Sequence, residues 1–294
     1  MKKIIGIIAL TALCGSSVPV FAKIALEIFQ PFTLVFIRFL LATISLLPFV
    51  KQTNELSFEN FKKLFSIAFI GALNPILLFI ALQTTQASVT PLIYASVPIM
   101  SAFYLQSVKK QKITKDQYAG ILIGFTGVCI IILLPLITSH QYTPLEMMSG
   151  NVLILFASFA FMLYGFYSKS RQVNHAVSPI ALTFYFSLVT LLLSAPFALY
   201  EVIKEPILYS DIRWTHVVSA LEIGIVGTSI FYFLYQYSLK ISSAITASLF
   251  TYLQPVLTIL LAVALLGEKI TIPLIIGAAL AVYGAGHASR KNNH

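Results

Sequence analysis

The sequence predicts an all-α membrane fold, ten transmembrane helices arranged as two inverted five-helix repeats, and three observations carry that prediction. Of 294 residues, 58% are hydrophobic and only 10% charged, with a mean hydropathy of +0.90, a composition outside the range of soluble domains. Uncharged stretches long enough to cross a ~30 Å hydrocarbon core recur along the whole chain. Finally, residues 87–127 align without a gap on residues 244–284, at a constant offset of 157, the mark of an internal repeat.

The opening stretch, MKKIIGIIALTALCGSSVPVFAK, fits two readings. Lys2 and Lys3, an apolar run and Val20-Phe21-Ala22 resemble a secretory leader; the uncharged run Ile4 to Ala22 also suits a first span. The second half decides between them. Its counterpart, SGNVLILFASFAFMLYGFYSK, stands in mid-chain where a leader has no place, and Phe21-Ala22-Lys23 falls on Tyr167-Ser168-Lys169. The opening is therefore read as a retained first helix.

The spans are read at 4–22, 31–50, 64–82, 88–108, 118–137, 148–168, 177–200, 214–239, 243–266 and 270–288, each bounded by a polar or charged link. In the repeat register Ala87 falls on Ala244, Pro98 on Pro255, Lys112-Ile113-Thr114 on Lys269-Ile270-Thr271, Gly120 on Gly277 and Gly127 on Gly284. Earlier, Pro31, Leu34, Phe36, Pro48 and Phe49 fall on Pro179, Leu182, Phe184, Pro196 and Phe197 at an offset of 148, so the extra residues sit in the link from Glu201 to Arg213. The two units are residues 3–137 and 148–289. Five helices per unit is an odd number, so the second unit crosses the membrane in the opposite sense.

The formal charge of +9 is explained by topology. With alternating spans and a cytoplasmic N-terminus, fourteen Lys and Arg fall on the cytoplasmic side, against Lys23, Lys204, Arg213 and Lys269 on the other, with Arg38 inside a helix. The positive-inside rule then places both termini in the cytoplasm of a multi-pass protein of the cell (inner) membrane. Basic loops of this size are what topology demands, so no nucleic-acid partner is expected. Cys14 and Cys129 lie within spans, and His140, His175, His216, His287 and His294 are scattered over links, helix ends and the tail without metal-ligand spacing; there is no phosphate-binding loop. No catalytic set, metal or cofactor is expected.

Several motifs together resemble the drug/metabolite transporter superfamily, specifically the ten-helix EamA-type carriers. These are LLGEKITIPLIIGAALAVYGAG, with its Gly-Glu-Lys turn before a Gly-rich helix, Phe36-Ile37-Arg38-Phe39, and Lys23 after the first helix. Cys14-Gly15 stands where many relatives have Trp-Gly, and Gln111 replaces the acidic residue of the first-half turn. The resemblance implies a secondary carrier for small metabolites, often an exporter of amino acids or related compounds, with a central cavity lined by both halves.

Candidate site residues follow from the cost of polarity in lipid. Burying a charge at mid-membrane costs ~2.5–3.5 kcal/mol on insertion scales, which singles out Arg38 in the second span and Glu222 in the eighth. They are expected to face the cavity and pair with each other or bind the carboxylate and amine of a zwitterion; the alternative is that Arg38 snorkels and Glu222 lies at the interface. Ser229 and Gln236 follow Glu222 at steps of seven, which predicts one polar stripe. Thr183, Ser187, Thr190 and Ser194 repeat along span seven, and Thr251, Gln254 and Thr258 along span nine; such groups line a cavity or bond their own preceding turn. Asn74-Pro75, Pro91, Pro98 and Pro255 free backbone carbonyls beside Tyr94, Ser101, Tyr252 and Gln254. Tyr164 and Tyr185 are further mid-membrane tyrosines suited to stacking on a ligand. The Gly120, Gly124, Gly127 and Gly277, Ala281, Gly284 patterns are read as close-approach scaffold or a dimer contact, and Glu268-Lys269 as a tight external turn.

The expectation is a secondary active transporter that moves a small polar metabolite by alternating access, an exporter of amino acids or related compounds, working as a monomer or homodimer in the lipid bilayer. Glu222 adds protons as a candidate coupling partner, because a carboxylate held out of water can change charge near neutral pH. Uptake or exchange of a nucleotide-like or cationic metabolite stays open. A membrane-embedded enzyme and a channel are the rivals from other classes; neither a convergent nucleophile and base nor a filter-like repeat is visible.

Overall fold

In the computed structural model the described residues are 2–110, 115–133, 144–207, 209–242, 244–248 and 250–288. Gln111, Lys112-Ile113-Thr114, His140 and the tail with Arg290, Lys291 and His294 lie outside them. Among the described residues the chain is helical and has no strands. The ten helical segments are α1 (Lys2–Ser16, continued by Val18–Ala25), α2 (Pro31–Gln52), α3 (Phe58–Leu82), α4 (Val89–Tyr94 and Val97–Lys109) and α5 (Lys115–Leu133). In the second half these are α6 (Pro144–His175), α7 (Pro179–Lys204), α8 (Trp214–Leu221, Glu222–Ile230 and Phe231–Ile241), α9 (Ala244–Ser248 and Phe250–Leu266) and α10 (Ile272–Ala288). Seven of them are long and apolar enough to cross a membrane, and α5, α9 and α10 hold shorter apolar runs.

The helix starts have identifiable causes. Span three begins at Phe58 rather than at residue 64, because the Ser57 side chain accepts the Asn60 N–H at 3.1 Å and caps a helix that runs on through Lys62 and Lys63. α2 begins with Pro31, which has no N–H to satisfy, but its N-cap Gln30 makes no capping bond. Instead Glu201, from the end of α7, accepts the N–H groups of Phe32 (3.1 Å) and Thr33 (2.7 Å). At the start of α7 the Ser178 side chain is the cap, accepting the Ala181 N–H at 3.2 Å, and Glu55, just past the end of α2, accepts the Ser178 N–H at 2.9 Å and its hydroxyl as well. Each carboxylate sits at the positive end of the other helix's dipole.

α1 is broken at Ser17. Pro19 carries no N–H, and the N–H groups of Val20 and Phe21 both turn to Ser17 O, at 3.1 and 3.0 Å. Ser16 O, deprived of its helical partner, accepts the Thr258 hydroxyl of α9 at 2.7 Å. α4 is interrupted at Ala95-Ser96, just before Pro98.

Packing follows the repeat. α2 lies along its repeat mate α7, and α5 along α10. A Cβ on Gly284 would stand 2.1 Å from Gly124 N and 2.6 Å from Gly120 O, so the glycine patterns of these two helices are a close backbone contact. The second half holds an aromatic core in which Phe161 stacks on Tyr235 (centroids 4.7 Å apart), and Phe186 lies 4.5 Å from Tyr232 and 4.9 Å from Tyr164; Phe39 and Tyr94 of the first half pack against it. Large apolar side chains such as Phe49, Phe69, Leu199 and Leu260 point outward, as a lipid-facing surface requires.

Candidate functional site

The segment Glu222–Ile230 of α8 is a π-helix, the form that recurs at functional sites because it leaves backbone groups without regular partners. Within it Thr228 donates its hydroxyl to Ile223 O at 2.6 Å and accepts a hydrogen bond from Arg38 Nε. Arg38 Nη2 donates to Gly227 O at 2.9 Å. The guanidinium lies 5.4 Å from the Phe39 ring and 5.1 Å from the Phe79 ring, within range of cation–π attraction. Arg38 is only 2% exposed, yet its Nη1 is buried without a partner.

That unpartnered atom belongs to a side chain lining a cavity between the two halves. Its polar lining is Arg38, Asn74, Thr90, Tyr94, Tyr232 and Gln254, and Phe161, Phe231 and Phe250 supply ring faces. The space open to the centre of a water-sized sphere is ≈ 50 Å³, room for a few waters or one small head group. Thr90 Oγ1 is a second buried atom without a partner. Asn74 ties the halves together: Tyr232 donates to its Oδ1 at 2.9 Å, and its Nδ2 donates to Ala157 O at 2.9 Å and to Tyr94 OH. Gly15 at the α1 break lets Gln254 approach, since a Cβ there would meet Gln254 Nε2 at 2.1 Å and Phe231 at 2.6 Å.

Of the residues singled out from sequence, Arg38, Asn74, Pro91, Tyr94 and Gln254 converge on this cavity. The others lie elsewhere. Glu222 is behind the α1 break, where its Oε1 accepts the Ser17 hydroxyl at 2.5 Å and its buried Oε2 has no partner. Among the described residues no ion pair joins it to Arg38. The stripe expected of Glu222, Ser229 and Gln236 splits, because the wider π-helical turn shifts the register between them. Ser229 meets Ser45 of α2 at 2.7 Å, while Gln236 accepts from Gln172 at 2.8 Å and donates to Ser168 at 3.1 Å on α6.

Thr183 bonds the Pro179 carbonyl of its own helix, and Ser187 is buried without a partner. Tyr164 is packed in the aromatic core with its hydroxyl 3.4 Å from Leu182 O. Tyr185 lies at the α2–α3 link, donating to the carbonyls of Glu55 and Ser57 and accepting the Ser57 N–H. Ser101 is buried on α4 and Tyr252 half-buried on α9, and neither lines the cavity. Glu268 does more than order its own turn: it reaches across to the first half and accepts the N–H groups of Ala87 (2.7 Å) and Ser88 (3.1 Å).

Sequence reasoning did not find Ser17, Thr228, Gly227 or the ring set Phe161, Phe231 and Phe250. The GSS-VP run at positions 15–19 is a signal for the α1 break, since small residues followed by proline weaken a helix. Nothing in the sequence of α8 marks where its π-helix begins.

Chemically, the site offers one permanent cation with an unpartnered N–H group beside aromatic rings. A guanidinium edge is matched to a carboxylate, and the cavity lining contains no acidic residue.

Comparison with known proteins covers the whole chain. The EamA-like transporter family model matches residues 2–133 and 148–289. A Clostridium kluyveri protein described as an uncharacterized transporter is 26% identical over 296 residues, covering 97% of this chain and 92% of that protein. One from Archaeoglobus fulgidus, described the same way, is 25% identical over 291 residues, 98% of this chain and 97% of its own. The uncharacterized transporter YdfC of Bacillus subtilis is 25% identical over 275 residues, covering 92% and 86%. A solved crystal structure shares the fold with a TM-score of 0.69 at 18% identity, over 98% of this chain and 97% of that one.

Proposed function

Because the chain belongs to the EamA-like transporter family, we propose that it is a secondary carrier for a small metabolite bearing a carboxylate, with amino acids and related compounds as the substrate class. The observation that carries this reading is Arg38, buried with its Nη1 unpartnered and lining a cavity shared by both halves. A buried donor without a partner costs about 1–3 kcal/mol, more when charged, and a substrate carboxylate relieves that cost. The rings of Tyr94, Phe161, Phe231 and Phe250 then surround the rest of the substrate, and the one cation with no acidic partner in the lining disfavours a cationic metabolite.

Transport proceeds by alternating access. Two antiparallel units of one design have two packings related by exchange of their roles, and each opens the cavity to one side. The breaks in α1 and α4 flank the cavity through Gly15, Thr90, Pro91 and Tyr94, giving the helices places to bend. The protein sits in the cytoplasmic membrane with both termini inside, and it exports. Glu222, with one buried oxygen bonded to Ser17 and the other unpartnered, is the candidate proton-binding group.

Purified protein in liposomes, loaded with a panel of labelled amino acids, monocarboxylates, nucleosides and organic cations and assayed with and without a pH gradient, tests this. Efflux confined to carboxylate-bearing compounds is expected. Transport of cations with none of carboxylates would sink the proposal.

A further inference from the structure

Away from the central cavity, a second opening of ≈ 420 Å³ lies between α3 and α6, lined by Ser66, Ile67, Ile70, Tyr167, Ser170, Arg171 and His175. α3 and α6 pack closely elsewhere; here two small residues, Ser66 and Ser170, leave a gap. Tyr167, Arg171 and His175 are spaced by four residues and share one face of α6. Lys62 stands one turn before Ser66 on the same face of α3, with its amino group 4.6 Å from the Phe58 ring.

The charge of this opening is one-sided. Its lining holds no carboxylate, and the nearby Glu59 is held by Lys63 at 2.7 Å on the neighbouring turn. Arg171 is half-buried and, among the described residues, makes no hydrogen bond or ion pair. Next to it the surface turns apolar: Phe65 and Phe69 are 42% and 41% exposed, and Ile67 and Ile70 form the floor.

We propose that this opening binds one anionic phospholipid, its phosphate on Arg171 and Lys62 and its acyl chains along Phe65 and Phe69. A guanidinium, an amine and two hydroxyls beside an apolar strip match a phosphodiester carrying hydrocarbon, whereas a water-soluble phosphate has no use for the strip. In the positive-inside orientation this end faces the cytoplasmic leaflet, where basic pockets between helices meet anionic head groups. The proposal rests on that orientation and is independent of the substrate reading.

Native mass spectrometry of the full-length protein in detergent, offered equimolar phosphatidylglycerol and phosphatidylcholine, tests it. At least fivefold more phosphatidylglycerol adduct is expected. Arg171→Gln should bring the ratio close to one, as should Ser66→Leu, which obstructs the opening and leaves the charges in place; Arg213→Gln, at the opposite end, should leave it unchanged. An unaltered ratio in both Arg171→Gln and Ser66→Leu overturns the site, and displacement of the lipid by equimolar glycerol phosphate overturns the lipid as its occupant.

Discussion

The two halves agree in scaffold and differ in chemistry. The starts of α2 and α7 are each bonded by the other helix's trailing carboxylate, Glu201 and Glu55. Lys23, at the end of α1, donates to Thr85 O at 2.5 Å, and Lys169, near the end of α6, donates to Leu239 O at 2.7 Å. At the charged positions the likeness stops. In the repeat register Arg38 falls on Phe186, a buried ring of the aromatic core, and Glu222 falls on Phe65, which is exposed on the outer surface. The symmetric positions hold two units in related packings, and the candidate site is made where the units diverge.

Replacing Arg38 tests that division most severely. Arg38→Gln should lower transport about 100-fold, the loss of ~2–3 kcal/mol expected for a charge-assisted bond to substrate, while the purified protein stays monodisperse. Its mate Phe186→Leu should do the reverse, costing about 1 kcal/mol of stability and leaving transport within twofold. Equal transport defects in the two variants would erase the distinction.

On the scaffold side, Gly284→Ala drives a Cβ to within 2.1 Å of Gly124 N, and overpacking of this kind costs about 1–3 kcal/mol. Its melting temperature should fall by several degrees. Gly6, with nothing within 4 Å of a built Cβ, tolerates the same change.

The carboxylates that link α2 and α7 should contribute least. Glu55→Gln and Glu201→Gln should each destabilise by about 1 kcal/mol, measured as paired thermal or denaturant shifts. The two losses should agree to within a few tenths of a kcal/mol. A difference above ~1 kcal/mol would show that the reciprocal bonds are not equivalent.

The sequence showed features that are written locally. Ten apolar runs, a gapless repeat and glycines at helical spacing all follow from solvent and geometry at one position at a time, and Arg38 stood out because charge is costly in lipid. Helix limits were less legible: the apolar run stops at Lys63, while the helix runs on to the Ser57 cap. The rest of the site depends on distant partners. Glu55 and Glu201 read as ordinary link charges until α2 lies beside α7. The π-helix of α8 moved Ser229 and Gln236 away from Glu222, a register change that a count of sevens cannot anticipate. Ser17 acquired its role only when the α1 break brought its hydroxyl to Glu222.

Alternating access requires that solvent reach the cavity from each side during transport. In a background with Cys14 and Cys129 replaced by alanine, Thr90→Cys places a thiol on the cavity that Arg38 lines, and an impermeant maleimide is added to vesicles of either orientation. Labelling is expected from both faces, slowed by a transported carboxylate and not by an organic cation. Labelling from one face alone, or at a rate indifferent to substrate, would contradict it.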